Sequence, residues 1–324
     1  QQNDHLLFVK RPLAVMHPLL TTLLLFVLAS SLHSQSAGKA KKLIHLTDAA
    51  FNTKEIVFKK TPEGELKLHF FTPPTAENDH TARKPCVVFF FGGGWRSGSY
   101  LQFVPQAEYL ASRGIVAACA DYRILNIHKT LPDKAVEDAK SAIRWVRGHS
   151  DELGIDPDKI IAAGGSAGGH LAACTALVTA YDAPTDDKTV SSKPNAMALF
   201  NPAMNIATLF KERATSGTPG VTLEMAEAIT PNTFVNKDTP PAIFFFGSED
   251  KLKLGADEYC QKALKLGLRA EMWVAPDQAH GFFNKEPWLH VTARQMDVFL
   301  ASLGYLKVEP TLKLPSGAPS LKRE

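Results

Sequence analysis

Ser166, Asp250 and His280 are the residues whose types, order and settings could do chemistry together. Ser166 stands in Gly164-Gly165-Ser166-Ala167-Gly168-Gly169-His170. The apolar stretch Ile160-Ile161-Ala162-Ala163 precedes it, and a small-residue apolar run from His170 to Val178 follows. This reads as strand, sharp turn and helix, the context in which Gly-x-Ser-x-Gly forms a nucleophile elbow. Such a turn strains the serine backbone and exposes its hydroxyl. The flanking glycines leave room where a β-carbon would strike a neighbouring strand or helix. The helix behind the serine directs its positive N-terminal end to where an oxyanion would develop.

A serine hydroxyl is a weak nucleophile at neutral pH and needs a base and a donor cluster. His280 suits the base: it lies in Asp277-Gln278-Ala279-His280-Gly281, at the end of the last predicted strand, Glu271-Met272-Trp273-Val274. Asp250 suits the group that orients the imidazole, at the end of Gly247-Ser248-Glu249-Asp250. Glu249 and Asp277 are its neighbours and rivals. His170 points away from the nucleophile on the following helix and reads as packing or capping. His290 reads as structural within a helix, and His149 closes a helix, where a cation meets the dipole. The donors are expected from the backbone N–H of Gly93, Gly94 and Ala167. Gly92-Gly93-Gly94 follows the buried-looking run Cys86 to Phe91, and successive glycines let backbone N–H groups turn towards a ligand.

The elements that must position these groups alternate along the chain. Glu55 to Phe58 and Leu66 to Phe70 read as a hairpin through Pro62-Glu63-Gly64-Glu65. Continuous apolar runs at Cys86–Phe91, Ile115–Ala120 and Ala242–Phe246 mark buried strands, and Asn195–Phe200 reads as a further strand. Helices are expected at Gln102–Arg113, Asp133–His149, Gly255–Leu266 and Trp288–Leu303. Strands alternating with helices make a mostly parallel sheet, about eight strands here, with helices on both faces. Sites in such sheets lie beyond the strands' carboxyl ends, where the glycine loop, Ser166, Asp250 and His280 all fall. Residues 203–240 read as a short lid insert, and 308–324 as a loose tail.

The whole chain sets bounds. Its 324 residues suit one large α/β domain. A formal net charge of +3, with no basic run interleaved with aromatics, argues against nucleic acid as a partner. The four cysteines lack metal-ligand spacing, so no metal is expected; they read as buried free thiols, with one disulfide as the alternative. Leu19 to Leu28 is apolar but too short to span a bilayer comfortably, and small residues follow it at 29–37. Residues 1–36 are therefore expected to be a secretory signal, with Met16 a candidate start and the chain secreted or periplasmic. No stable membrane insertion is expected after cleavage; an uncleaved anchor is the alternative.

With these residues in place, the chain resembles the α/β-hydrolase superfamily. Within it the likeness is to hormone-sensitive-lipase-like carboxylesterases and the related bacterial acetyl- and feruloyl-esterase-like hydrolases. The likeness runs from about Lys84 to Leu306. Phe91-Gly92-Gly93-Gly94-Trp95 sits where that family carries His-Gly-Gly-Gly-Trp. Asp121-Tyr122-Arg123 resembles its Asp-Tyr-Arg turn, Gly164 to Gly169 its elbow, and Gly247-x-x-Asp250 and Ala279-His280-Gly281-Phe282 its acid and base loops. The order serine, acid, histidine is also that of the superfamily. The resemblance implies hydrolysis of short-chain acyl esters through an acyl-serine, without metal or cofactor, on a small-molecule or carbohydrate ester. An amidase or peptidase of the same fold is the rival enzyme. An inactive hydrolase-like binding protein is the rival without chemistry, and the intact Ser166, Asp250 and His280 argue against it. The one departure, Phe91 for histidine, removes a loop scaffold and leaves the nucleophile untouched.

Overall fold

Apolar runs become strands, and their pairing decides where the site can form. The structure is a computed structural model that describes residues 43–74, 83–212, 220–307 and 309–324. The expected signal segment lies outside the described residues. In chain order the strands are β1 (Asn52–Thr61), β2 (Gly64–Thr72), β3 (Lys84–Phe90), β4 (Val116–Ala120), β5 (Ile155–Gly165), β6 (Ala196–Phe200), β7 (Ala242–Gly247), β8 (Ala270–Ala275) and β9 (Lys322–Arg323). The helices are α1 (Val104–Ser112), α2 (Leu125–His128), α3 (Pro132–Gly148), α4 (Ser150–Leu153), α5 (Ala167–Leu177), α6 (Ile206–Glu212), α7 (Leu223–Ala228), α8 (Lys253–Lys265) and α9 (Trp288–Ser302).

Among the described residues the strands form one sheet in the order β1-β2-β4-β3-β5-β6-β7-β8-β9. From β4 to β8 every pairing is parallel; β1, β2 and β9 attach antiparallel. The chain leaves β3, builds β4 on one side, then returns to lay β5 on the other. This reversal is a topological switch point, where strand ends open a crevice. Phe90 of β3 lies in register with Gly164 of β5, so the glycine loop and the serine turn emerge side by side.

Side chains alternate across the strands, and each face finds a cover. Val88 and Phe90 of β3 join one core with Val136, Ala139 and Ile143 of α3, Leu171 of α5 and Tyr259 of α8. Phe89 points the other way and stacks on Phe103 at 4.9 Å, which in turn meets Phe200 and Phe283. On that side α1 and α9 are joined through buried Asp297, which accepts from Tyr109 Oη and, at 2.7 Å, from Arg113 Nε. Helix α5 is buried almost all round, and its small Gly, Ala and Cys residues let it lie close to the sheet. Gly168 is the extreme case: a β-carbon there would stand 2.0 Å from the Phe90 carbonyl oxygen.

Two expectations need correction. The sheet, expected to have about eight strands, has nine among the described residues, and the tail expected to be loose supplies the ninth. Lys322 and Arg323 pair with Val274 and Trp273 at the edge of β8. Lys253 Nζ meets the Glu324 carboxylate at 2.6 Å, and Leu312 is buried. An exposed parallel edge strand offers unpaired N–H and C=O groups, and the returning tail satisfies part of that row. The hydrogen bonds are backbone groups, so the Pro, Ser and Lys composition did not reveal them. The first predicted helix also starts differently, as a 3-10 turn at Tyr100–Phe103 followed by α1.

Candidate active site

The elbow is built by steric exclusion. Ser166 has φ 53° and ψ −117°, a conformation that costs about 1–3 kcal/mol and persists only when its surroundings enforce it. Its N–H donates to the Phe200 carbonyl at 2.9 Å, tying the turn to β6. A β-carbon on Gly164 would lie 2.5 Å from the Gly168 oxygen, so strand and helix touch directly beneath the serine.

Two neighbouring strand ends, those of β7 and β8, then bring the other groups in. Asp250 follows β7 and His280 follows β8. His280 Nε2 lies 2.9 Å from Ser166 Oγ, and Nδ1 lies 2.7 Å from Asp250 Oδ2. Asp250 is buried, and its other oxygen accepts the Leu252 N–H at 3.0 Å. Glu249 and Asp277, the rival acids, are exposed. An acceptor at Nδ1 sets the tautomer with the proton on Nδ1, leaving Nε2 free to accept from the serine hydroxyl. The imidazole remains partly open to solvent, at 41% side-chain exposure, which gives a substrate or water a route to Nε2.

The glycine loop passes beside the serine. A β-carbon on Gly92 would stand 3.3 Å from Ser166 Cβ. Gly93 (φ 129°) turns its carbonyl into a tight bend, where Arg96 and Ser97 N–H donate to it at 3.1 and 3.2 Å. Gly94 follows with φ 63°. Ala167 is the first residue of α5, so its N–H is among those with no acceptor inside the helix. These are the groups a substrate oxygen could meet. The Asp121-Tyr122-Arg123 turn supports the loop: Tyr122 Oη donates to the Phe91 carbonyl at 2.6 Å, and the Phe91 ring stacks on Tyr122 at 4.1 Å. Arg123 is held by both carboxylate oxygens of buried Asp138, each at 2.8 Å. Such a buried pair fixes geometry more than it adds stability.

Other residues keep to structural places. His170 is fully buried, its Nε2 donating to the Ile229 carbonyl at 2.7 Å, and burial pushes its pKa down to about 4. It joins the insert to α5, with Trp95 edge-on to its ring. His149 Nδ1 lies 2.8 Å from the Trp145 carbonyl at the end of α3. Among the described residues the four cysteines are unpaired, and no group of three or more His, Cys, Asp or Glu side chains is placed to hold a metal ion.

Three residues at the site escaped the sequence reading. Asn201 follows β6, is fully buried with φ 40°, and its Oδ1 accepts the Gly281 N–H at 3.1 Å. Its place at a strand end between Phe200 and Pro202 was the available signal. Gln102 and Asn284 meet each other between the glycine loop and the histidine loop, and no local pattern marks them.

A serine at a strained elbow, an imidazole between it and a buried carboxylate, and a parallel sheet with this strand order define an α/β-hydrolase. The chain belongs to the BD-FAE family, whose model matches residues 70–254. The sequence is 38% identical over 124 residues to a probable isoprenylcysteine alpha-carbonyl methylesterase of Oryza sativa, a match covering 38% of this chain and 27% of that one. It is 25% identical over 244 residues to the carboxylesterase NlhH of Mycobacterium tuberculosis, covering 68% of this chain and 72% of NlhH. The fold matches Thermogutta terrifontis esterase 2 phosphoramylated by tabun, at TM-score 0.72 and 41% identity, over 79% of this chain and 97% of that one. The propionate-bound form of that esterase matches at TM-score 0.71 and 40% identity, over 79% of this chain and 96% of that one.

Proposed function

We propose that this protein is a serine esterase that hydrolyses short-chain carboxylic esters through an acyl-serine intermediate. The observation that carries this is the continuous line from Ser166 Oγ through His280 to buried Asp250, at 2.9 and 2.7 Å. Ser166 Oγ attacks the acyl carbon as His280 Nε2 takes its proton. The carbonyl oxygen gains charge opposite the N–H groups of Gly93, Gly94 and Ala167, where each donor supplies roughly 3 kcal/mol of transition-state stabilisation. The imidazolium, steadied by Asp250, gives the proton to the departing alkoxide and the acyl-serine remains. Water then repeats the sequence with His280 as base, releasing the acid and restoring the serine.

The short acyl preference rests on two supports. The esterase of Thermogutta terrifontis was also seen with butyrate bound. The insert of this chain carries only the short helices α6 and α7 and the 3-10 turn Pro231–Phe234 among its described residues, with no long apolar flap. The reaction we propose runs outside the cytoplasm, on esters that include acetylated carbohydrates. The apolar stretch at Leu19–Leu28, with small residues after it, supports that placement.

A p-nitrophenyl ester series from acetate to palmitate tests the reading, with Ser166→Ala beside the wild type. Turnover should peak at short chains and vanish in the variant. Equal turnover by Ser166→Ala, or a peak at palmitate, would overturn it.

A further inference from the structure

The two loops that meet at Ser166 are tied to each other by side-chain amides. Gln102, half-buried in the 3-10 turn, accepts the Gly92 N–H on Oε1 at 2.6 Å. Its Nε2 donates to Asn284 Oδ1 at 3.0 Å, across 182 residues of sequence. Asn284 Nδ2 donates to the Gly281 carbonyl at 3.1 Å. A backbone donor stands at one end of this line and a backbone acceptor at the other. Each amide therefore has a single orientation that avoids facing a donor with a donor or an acceptor with an acceptor. Gly92 immediately precedes Gly93 and Gly94, and Gly281 immediately follows His280. The Gly281 N–H is also held, by Asn201 Oδ1 at 3.1 Å.

We infer that Gln102 and Asn284 are positioning residues that set the oxyanion-binding loop and the base loop in one register around Ser166. Phe91, where related enzymes are expected to carry histidine, presents a ring that offers no hydrogen bond. The loop is tethered at Gly92 by Gln102 and at the Phe91 carbonyl by Tyr122 instead. Gly92 leaves no slack for a looser arrangement: a β-carbon there would lie 2.8 Å from the Gly165 oxygen, so the loop already rides on the nucleophile turn. A small rotation of the loop would move the N–H groups of Gly93 and Gly94 off the oxyanion position, and misplacement by an ångström costs on the order of 100-fold in rate. The inference rests on the esterase reading for its kinetic consequence, and on the amide line alone for the coupling of the two loops.

The test uses the full chain with Gln102→Glu, Gln102→Ala, Asn284→Asp, Asn284→Ala and the double alanine variant. Gln102→Glu keeps the size and the acceptor for Gly92 N–H and loses the donor to Asn284, so it reads the line even where an alanine variant folds poorly. On p-nitrophenyl acetate, kcat should fall roughly 10- to 100-fold with KM within about twofold, since the loop serves the transition state. The double alanine variant should be no slower than the slower single one, because each breaks the same line. Hydrogen exchange followed by mass spectrometry should show Gln102→Ala loosening both 91–98 and 280–285. Unchanged kcat in Gln102→Glu and Gln102→Ala, multiplicative losses in the double variant, or exchange changes confined to 91–103 would overturn the inference. A wild type that turns over no ester would sink the esterase reading, and the exchange experiment would still decide the coupling.

Discussion

Asp250→Asn isolates the orienting carboxylate without changing its shape. In the native site Oδ1 accepts the Leu252 N–H at 3.0 Å and Oδ2 faces His280 Nδ1 at 2.7 Å. An asparagine must keep its oxygen towards Leu252, because the alternative sets an NH2 against an N–H in a buried place. Its NH2 then faces Nδ1, which must become the acceptor, and the ring proton moves to Nε2. An imidazole in that tautomer cannot take the proton of Ser166 Oγ. The loss should approach ~10⁴-fold in kcat, or about 5 kcal/mol of transition-state stabilisation, with KM and melting temperature nearly unchanged. Steady-state hydrolysis of p-nitrophenyl acetate with parallel thermal melts reads all three quantities. A variant within about tenfold of wild type would refute the tautomer argument. The assignment would then pass to Glu249 or Asp277, and Asp250 would be left a loop-packing residue.

Two further outcomes follow from the packing. Gly168→Ala drives a β-carbon to 2.0 and 2.3 Å from the Phe90 and Phe91 oxygens, on a strand pinned between β4 and β5. It should cost about 3 kcal/mol or more and lower the melting temperature by roughly 6–12 °C, whereas Gly148→Ala, which meets nothing within 4 Å, should stay within about 2 °C of wild type. His170 is neutral in the fold, because burial outweighs the hydrogen bond to Ile229 and lowers its pKa from 6.5 to about 4. The unfolded chain binds that proton first, so the stability held above pH 6.5 is lost as pH falls towards 4, by about 3 kcal/mol in all. Urea titrations between pH 7 and 4.5 should show His170→Asn losing less of its stability than wild type over this range; parallel losses would show that other groups govern the acid limb.

Much of the site was legible because it sits where backbone pattern changes abruptly. Cys86–Phe91, Ile160–Ala163 and Ala242–Phe246 are apolar on both faces, so they had to be central strands; Ser166 and Asp250 stand just past two of them, and His280 stands past β8, whose Glu271 makes its run less pure. Asp250 is favoured over Glu249 in the sequence, and what the sequence does not reveal is that Asp250 is buried while Glu249 is exposed. The Gln102–Asn284 contact spans two loops far apart in sequence, and its meaning lies in the direction of two amides. The ninth strand was hidden for another reason. Lys322 and Arg323 carry no apolar alternation, and their place is set by the unpaired edge of β8.

The identity of the nucleophile is tested most directly by reaction with a fluorophosphonate probe, followed by intact-mass and peptide mass spectrometry. One adduct should form per chain, on the peptide bearing Ser166, absent from Ser166→Ala and slow to appear in His280→Ala. Folded protein that stays unlabelled, or that carries the adduct on any other residue, would contradict the mechanism at its first step.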